Sequence, residues 1–266
     1  MRAKKYFVGA DSHVWSYNGR IAGVDRETNN AVVTYLEEEG PWDGYINLGD
    51  VYDMNVISAH NKGRLKLVEG QRLSADFDAG NAYLRQHHEA AGRPKEFHLI
   101  EGNHENRIER YIQVLPELDG IVNLEKNIPK FVKVTKFWTD HELLNVGKAT
   151  FIHGINTGSR QVATALRDYG TNVFMGHTHR RELLSLRHHG PDSTKVAESL
   201  PCLCEYGQPY LKGSPTQWQQ GFAVFYFWPN GLFNYTVTSI FDHAFISPTG
   251  KYYDGKKDRP QTRLVL

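Results

Sequence analysis

Five short apolar runs in this chain each stop abruptly on side chains that bind protons or metals. Tyr6-Phe7-Val8-Gly9-Ala10 runs into Asp11-Ser12-His13, Tyr45-Ile46-Asn47-Leu48 into Gly49-Asp50, and Phe97-His98-Leu99-Ile100 reaches Gly102-Asn103-His104-Glu105. Ala149-Thr150-Phe151-Ile152 meets His153-Gly154, and Val173-Phe174-Met175 meets Gly176-His177-Thr178-His179. Taken singly each cluster has an ordinary reading. Asp-x-His and Asn-His are turn or capping devices, a His after an apolar run is a core histidine, and His177 and His179 share a face only if extended. Taken together they place carboxylates, an amide and several imidazoles at strand ends, where burial is costly without a compensating partner. A cation is such a partner. Mixed imidazole, carboxylate and amide-oxygen donors suit a borderline transition ion rather than Ca²⁺, which takes oxygen throughout. The Ser and Cys residues form no nucleophile constellation.

Short apolar runs bounded by Gly predict buried strands, and sites in open α/β sheets are built at the carboxyl ends of strands. Helical stripes lie between the runs: Ala31, Val32, Tyr35 and Leu36 within 28–39; Leu73, Phe77, Gly80 and Leu84; Ile108, Ile112 and Leu115; and Val162, Leu166 and Tyr169, with Ser159 as cap. Strand and helix alternating in this way predict right-handed crossovers. After His179 the pattern turns strand-like over 181–187, 221–228 and 232–240, the last two flanking the hairpin signal Pro229-Asn230-Gly231. The expectation is a second, more antiparallel sheet packed on the first. Because the polar clusters make sense only together, residues 1–266 are read as a single domain.

The 266 residues include 40% hydrophobic and 23% charged side chains, which excludes disordered, collagen-like and coiled-coil chains. A net charge of +1 provides no global basic field for nucleic acid or membrane. Two Cys exclude a disulfide framework and fit a reducing compartment. No apolar run approaches the roughly 20 residues of a membrane span, and the N-terminal apolar stretch is too short for a signal peptide. A cytoplasmic location is expected. Thirteen His exceed what a core needs.

In order, the clusters spell D-x-H, G-D-x-x-D, G-N-H-E, H-G and G-H-x-H, with Asp53 completing the second. This ordered set, spanning residues 5–181, resembles the calcineurin-like metallophosphoesterase superfamily. The resemblance implies an α/β four-layer α-β-β-α sandwich: two mixed β-sheets face to face, flanked by helices. It implies two divalent transition metal ions, manganese first among iron, zinc, nickel and cobalt. Asp11, His13 and His179 would hold one, Asn103, His153 and His177 the other, and Asp50 would bridge them. It also implies that His104 is a general acid at the leaving group, paired with Asp53. A carboxylate neighbour favours the imidazolium that an acid requires; a turn or capping role for Asp53 stays open. The G-D-x-x-D segment continues into Met54-Asn55 rather than the Arg-Gly of the protein phosphatases, which argues against a phosphoprotein substrate.

Asn103 and Arg107 are the expected substrate contacts, with Arg64, Arg110 and Arg180 as further arginine candidates; Arg107 reads equally as a surface ion pair. Residues 57–72 form an excursion with His60, Lys62, Arg64, Lys66 and Arg72 against Glu69, and 251–266 form a basic tail. The excursion leaves from the G-D-x-x-D turn and could flank a phosphodiester. The expected activity is therefore hydrolysis of a phosphate ester by a metal-activated hydroxide, as a phosphodiesterase or nuclease on nucleic acid or nucleotides. The alternatives are a phosphomonoesterase and a non-catalytic scaffold, the latter disfavoured by a complete donor set. Cys202 and Cys204 are read as free, the pairs His87-His88 and His188-His189 as solvated, and the aromatics of 222–228 as sheet core.

Overall fold

The computed structural model describes residues 1–158, 160–187, 189, 194–208, 211 and 213–256. The chain opens with β1 (Lys4–Gly9), the small hairpin β2 (Trp15–Tyr17) and β3 (Arg20–Ala22), then α1 (Arg26–Glu38) and β4 (Gly44–Asn47). After α2 (Leu73–Ala90) and β5 (Glu96–Ile100) come α3 (Arg107–Val114), α4 (Leu124–Asn127), β6 (Lys133–Thr135) and α5 (Phe137–Asp140). The second half holds β7 (Leu144–Val146), β8 (Ala149–Ile152), α6 (Gln161–Tyr169), β9 (Asn172–Met175), β10 (Glu182–Arg187) and β11 (Thr194–Ser199). It continues with β12 (Gln220–Phe227), β13 (Phe233–Ile240), β14 (Ala244–Ile246) and β15 (Tyr252–Asp254).

The main sheet has six strands in the order β13-β12-β1-β4-β5-β6, and the second has five in the order β10-β11-β9-β8-β7. Both are mixed: β1, β4, β5 and β6 run parallel, while β12 meets β1 antiparallel in register Phe7↔Val224. The expected separate antiparallel sheet does not form. The hairpin β12–β13 extends the first sheet beside β1, and β10–β11 extends the second beside β9. The local pattern marks these segments as strands, but the partner of β12 lies more than two hundred residues away in sequence, as in Phe7↔Val224.

Alternation of side chains across each strand divides the core into two clusters. Phe7, Tyr45, Phe97, Phe222 and Val224 face α1 and α2 residues such as Val32, Tyr35, Tyr83 and Leu84. From the opposite face Tyr6, Val8, Ile46 and Phe225 meet Phe151 and Phe174 of the second sheet. Ring centroids of Phe225 lie 5.1 Å from Phe151 and 4.7 Å from Phe174, so the sheets pack face to face. Helix α6 contacts β9, β10 and β11 on the far side of the second sheet. The result is the four-layer α-β-β-α sandwich. Helix α1 begins where the Asp25 side chain accepts the Thr28 N–H, and α6 ends on Gly170 at φ 62°. The expected cap Ser159, His188 of the second His pair, and tail positions 257–266 lie outside the described residues.

Candidate metal centre

All five polar clusters meet between the carboxyl ends of strands from both sheets. The backbone laces them together. The turn after β1 donates to the turn after β4 through Asp11 N–H to Gly49 O, His13 N–H to Asp50 O and Val14 N–H to Val51 O, at 3.0, 2.8 and 2.7 Å. The turn after β9 donates from Gly176 N–H to His153 O at 2.9 Å. The Asp11 carboxylate reaches across the sheets to accept the His177 N–H at 2.9 Å. Glycines in the motifs make room for these approaches. A Cβ on Gly102 would collide with Asp50 Oδ1, and one on Gly176 would lie 2.7 Å from Asp11 Oδ2.

The side chains form two adjoining groups. In the first, His13 Nε2 and His179 Nε2 face each other at 3.1 Å, with Asp11 Oδ1 3.6 Å from His179 Nε2. Two imidazole nitrogens this close need a shared proton or cation between them. In the second, His153 Nε2 lies 3.1 Å from Asn103 Oδ1 and 3.3 Å from Asp50 Oδ2. Its Nδ1–H donates to the Leu48 carbonyl at 2.7 Å, which aims Nε2 inward. Asp50 Oδ2 also lies 3.8 Å from His13 Nε2, so this carboxylate stands between the groups. Donor atoms of Asp11, His13 and His179 lie within 4.8 Å of one another, as do those of Asp50, His153 and His177. Four imidazoles, two carboxylates and an amide oxygen are thus gathered, a donor set that fits borderline transition ions.

Backbone strain and charge both mark the place. Asp11, His13, Asp50, His177 and His179 all hold positive φ, at 51, 47, 52, 73 and 59°. This left-handed region disfavours side-chain-bearing residues, and such outliers cluster at functional sites. Burial pushes the Asp50 carboxyl up, yet the imidazoles of His153 and His104 outweigh it and hold it well below the ordinary carboxylate range. Burial pushes His153 down, but Asp50 reverses this and raises it to about 9. His177, half-buried and beside His153, falls to about 4 through its partial burial and the neighbouring imidazole.

His104 Nδ1 lies 2.9 Å from Asp53 Oδ1, as the pairing expectation requires. Asp53 does more: the same oxygen lies 3.0 Å from His13 Nδ1. Burial raises Asp53, but hydrogen bonds from His104 and His13 overcome it and keep the carboxylate strongly acidic. Arg107 is no surface ion pair. Its Nη1 donates to Asp53 O at 2.6 Å, and its Nη2 sits 3.1 Å from His104 Nε2. Arginine only donates, so this contact assigns the proton of the His104 ring to Nδ1.

A cavity of about 780 Å³ opens over the centre, lined by His60, Asn61 and Arg64 of the excursion and by Arg180, Gln217 and Trp218. Of the arginine candidates, Arg64, Arg107 and Arg180 line it. Arg110 instead lies over the Trp138 ring at 5.6 Å. The excursion folds as 3₁₀ turns over Asn55–Ile57, Ala59–Asn61 and Leu65–Val68. Lys62 and Lys66 point to solvent and do not line the cavity. In the tail, Lys251 pairs with Glu38 and Lys256 with Asp242.

Sequence reasoning missed several residues. Glu105, one step past the G-N-H triplet, is buried, and its carboxylate accepts N–H groups of Asp50, Tyr52 and Gly102, each at 2.9 Å. Trp218, whose ring centroid is 4.1 Å from that of His179, sits in a segment with no periodic signal. His87 was expected to be solvated but is fully buried on α2. It joins a directed chain: Ser12 Oγ–H donates to Tyr83 OH at 2.8 Å, Tyr45 OH lies 2.8 Å from His87 Nδ1, and His87 Nε2 lies 2.8 Å from Asn29 Oδ1. His88 likewise stacks on Phe131, with centroids 3.9 Å apart. Cys202 and Cys204 are free, as expected, yet Cys204 Sγ is 3.8 Å from His179 Nδ1, behind the centre. Trp228, expected in the sheet core, is 47% exposed.

No helix among the described residues is long and apolar enough to cross a membrane. No protein-family model matches the chain. Over 225 residues it is 26% identical to the Gene 54 protein of Mycobacterium phage L5, covering 75% of this chain and 82% of that one. The Gene 54 protein of Mycobacterium phage D29 is 25% identical over 222 residues, with the same shares covered. Among solved structures, the chain is similar to a metallophosphoesterase from Sphaerobacter thermophilus with TM-score 0.43 and 14% identity, covering 90% of this chain and 88% of that one. It is also similar to Haemophilus influenzae NAD nucleotidase with TM-score 0.41 and 13% identity, covering 95% of this chain and 53% of that one. In the order of its strand-end clusters, and in the two-sheet frame that brings them together, the chain resembles the calcineurin-like metallophosphoesterases.

Proposed function

We propose that this protein is a metal-dependent phosphoesterase that hydrolyses phosphodiesters of nucleic acid or nucleotides at a dinuclear centre. The observation that carries the reading is the meeting of seven donor side chains from both sheets, with Asp50 Oδ2 between His153 Nε2 at 3.3 Å and His13 Nε2 at 3.8 Å. Asp11, His13 and His179 would hold one divalent ion, and Asn103, His153 and His177 the other, with Asp50 shared; manganese is the first candidate. Bound there, the ions supply Lewis acidity that activates a water and offsets charge on the phosphate oxygens.

The chain's own groups do the rest. Asp53 holds the His104 ring through Nδ1 and leaves Nε2 directed at the cavity. Once Arg107 turns to the phosphate, the freed Nε2 would take a proton from solvent, giving an imidazolium held by Asp53, and pass that proton to the departing oxygen. The Asn103 amide contacts substrate beside its ion. No protein nucleophile is required.

Turnover of bis-p-nitrophenyl phosphate and of p-nitrophenyl phosphate, measured after chelation and reconstitution with Mn²⁺, Fe²⁺, Zn²⁺, Ni²⁺ or Co²⁺, tests this. Metal-dependent hydrolysis favouring the diester is expected. Preference for the monoester would make the protein a phosphatase, and no metal-dependent turnover of either ester would make it a scaffold.

A further inference from the structure

We infer that the cavity is built for single-stranded nucleic acid, with one unstacked base on Trp218 and a phosphate neighbouring the scissile one on Arg64. This rests on the phosphodiesterase reading and names its substrate class through residues outside the five motifs.

The two walls of the cavity differ in chemistry. On one, the half-buried Trp218 lies against His179, with ring centroids 4.1 Å apart and planes at 62°, so the ring stands beside the candidate centre and lines the cavity. Arg180 backs this wall: Nη1 donates to Gln217 Oε1 at 2.9 Å and Nη2 to Thr157 O at 3.3 Å. The other, built of the 3₁₀ turns that follow Asp53 beside His104, offers Asn55, His60, Asn61 and Arg64. The Arg64 guanidinium makes no hydrogen bond or ion pair among the described residues, whereas Arg107 and Arg180 are both tied down. An exposed guanidinium and an indole that line one cavity together with the candidate metal ligands match the two substituents of a nucleic-acid diester. One side continues to the next phosphate, and the other carries a flat apolar base.

The same features disfavour a duplex. A base lying on Trp218 has left its own partner, and stacking on an aromatic side chain is the sequence-tolerant mode by which single strands are held. Duplex-tracking proteins neutralise many phosphates, yet this chain has a net charge of +1, and Lys251 and Lys256 of the tail are spent on Glu38 and Asp242. A cavity of about 780 Å³ accommodates a few nucleotide units rather than a length of double helix.

The test is binding by fluorescence anisotropy of the full chain in chelator, where nothing is cleaved. Labelled single strands of about six deoxyuridines or six uridines are compared with a hairpin whose G·C-rich stem has about the same length, so that the duplex stays paired. Single strands should bind at least roughly tenfold tighter than duplex, and the better of the two sugars identifies the natural polymer. Trp218→Ala should weaken single-strand binding roughly tenfold or more, with Trp218→Phe restoring most of it. Arg64→Ala should weaken binding and lower the salt slope by about 0.7, while Lys62→Ala with Lys66→Ala, off the cavity, should change it little. Equal binding of duplex, no effect of Trp218→Ala, or loss in the Lys62/Lys66 variant equal to that of Arg64→Ala would overturn the inference. Metal-dependent turnover of bis-p-nitrophenyl phosphate by the unaltered protein is scored separately, so failure of the underlying reading is distinguished from failure of the substrate assignment.

Discussion

The Glu105 carboxylate accepts the backbone N–H of Asp50 at 2.9 Å, which ties the turn after β5 to the turn after β4 directly beneath the candidate centre. Tyr52 and Gly102 donate to the same carboxylate, so one side chain satisfies three buried backbone donors. Glu105 touches no proposed reacting atom; it holds Asp50 in its left-handed conformation, φ 52°.

Glu105→Gln replaces one of the two accepting oxygens by an amide donor and sets it against a backbone N–H. The expected cost is about 1–3 kcal/mol of folding stability, with weaker metal retention because Asp50 is no longer pinned. Urea unfolding and metal content after dialysis check this. A variant with unchanged midpoint and unchanged metal content would show that Glu105 is dispensable.

His104 and Asp50 should separate chemistry from metal binding. His104→Ala is expected to keep its metals and lose roughly 10²–10⁴-fold in turnover, with a smaller loss on p-nitrophenyl esters, whose leaving group needs little protonation. Asp50→Asn should lose metal and turnover together. Loss of the same size across leaving groups of different pKa would assign His104 a binding or structural role.

The buried His87 gives a pH signature. Burial lowers this imidazole to about 3 in the folded protein, against an ordinary value near 6.5 in the unfolded chain. The unfolded state therefore binds the extra proton between these values. Stability is fully present above about pH 6.5 and is lost as pH falls towards 3. Between pH 7 and pH 5 this group should cost the wild type roughly 2 kcal/mol. His87→Gln, which keeps an acceptor for Tyr45 and a donor for Asn29, should lose that much less over the same interval in urea unfolding. Parallel pH dependence of the two proteins would place the acid sensitivity elsewhere.

Much of the centre was legible in the sequence because its signal is local. A strand buried on both faces is a short apolar run, and the residue after its last hydrogen bond must turn, so Gly and ligand-type side chains follow at once, as at Gly49-Asp50 and Gly102-Asn103. The strands after His179 were legible as strands but not by sheet, because Ala223 pairs with Val8 and Ala197 with Val173 over separations that no local pattern encodes. His87 was misread for the same reason: its partners Tyr45 and Asn29 come from other elements. Glu105 and Trp218 carry no periodic signature, since each acts through residues brought to it by the fold.

Anomalous diffraction from crystals grown with manganese, recorded at its absorption edge, tests the dinuclear centre most directly. Two peaks roughly 3.5–4 Å apart are expected, one bounded by Asp11, His13 and His179, the other by Asn103, His153 and His177, with Asp50 touching both. A single peak, or a metal seated on Cys202 and Cys204 instead, would contradict it.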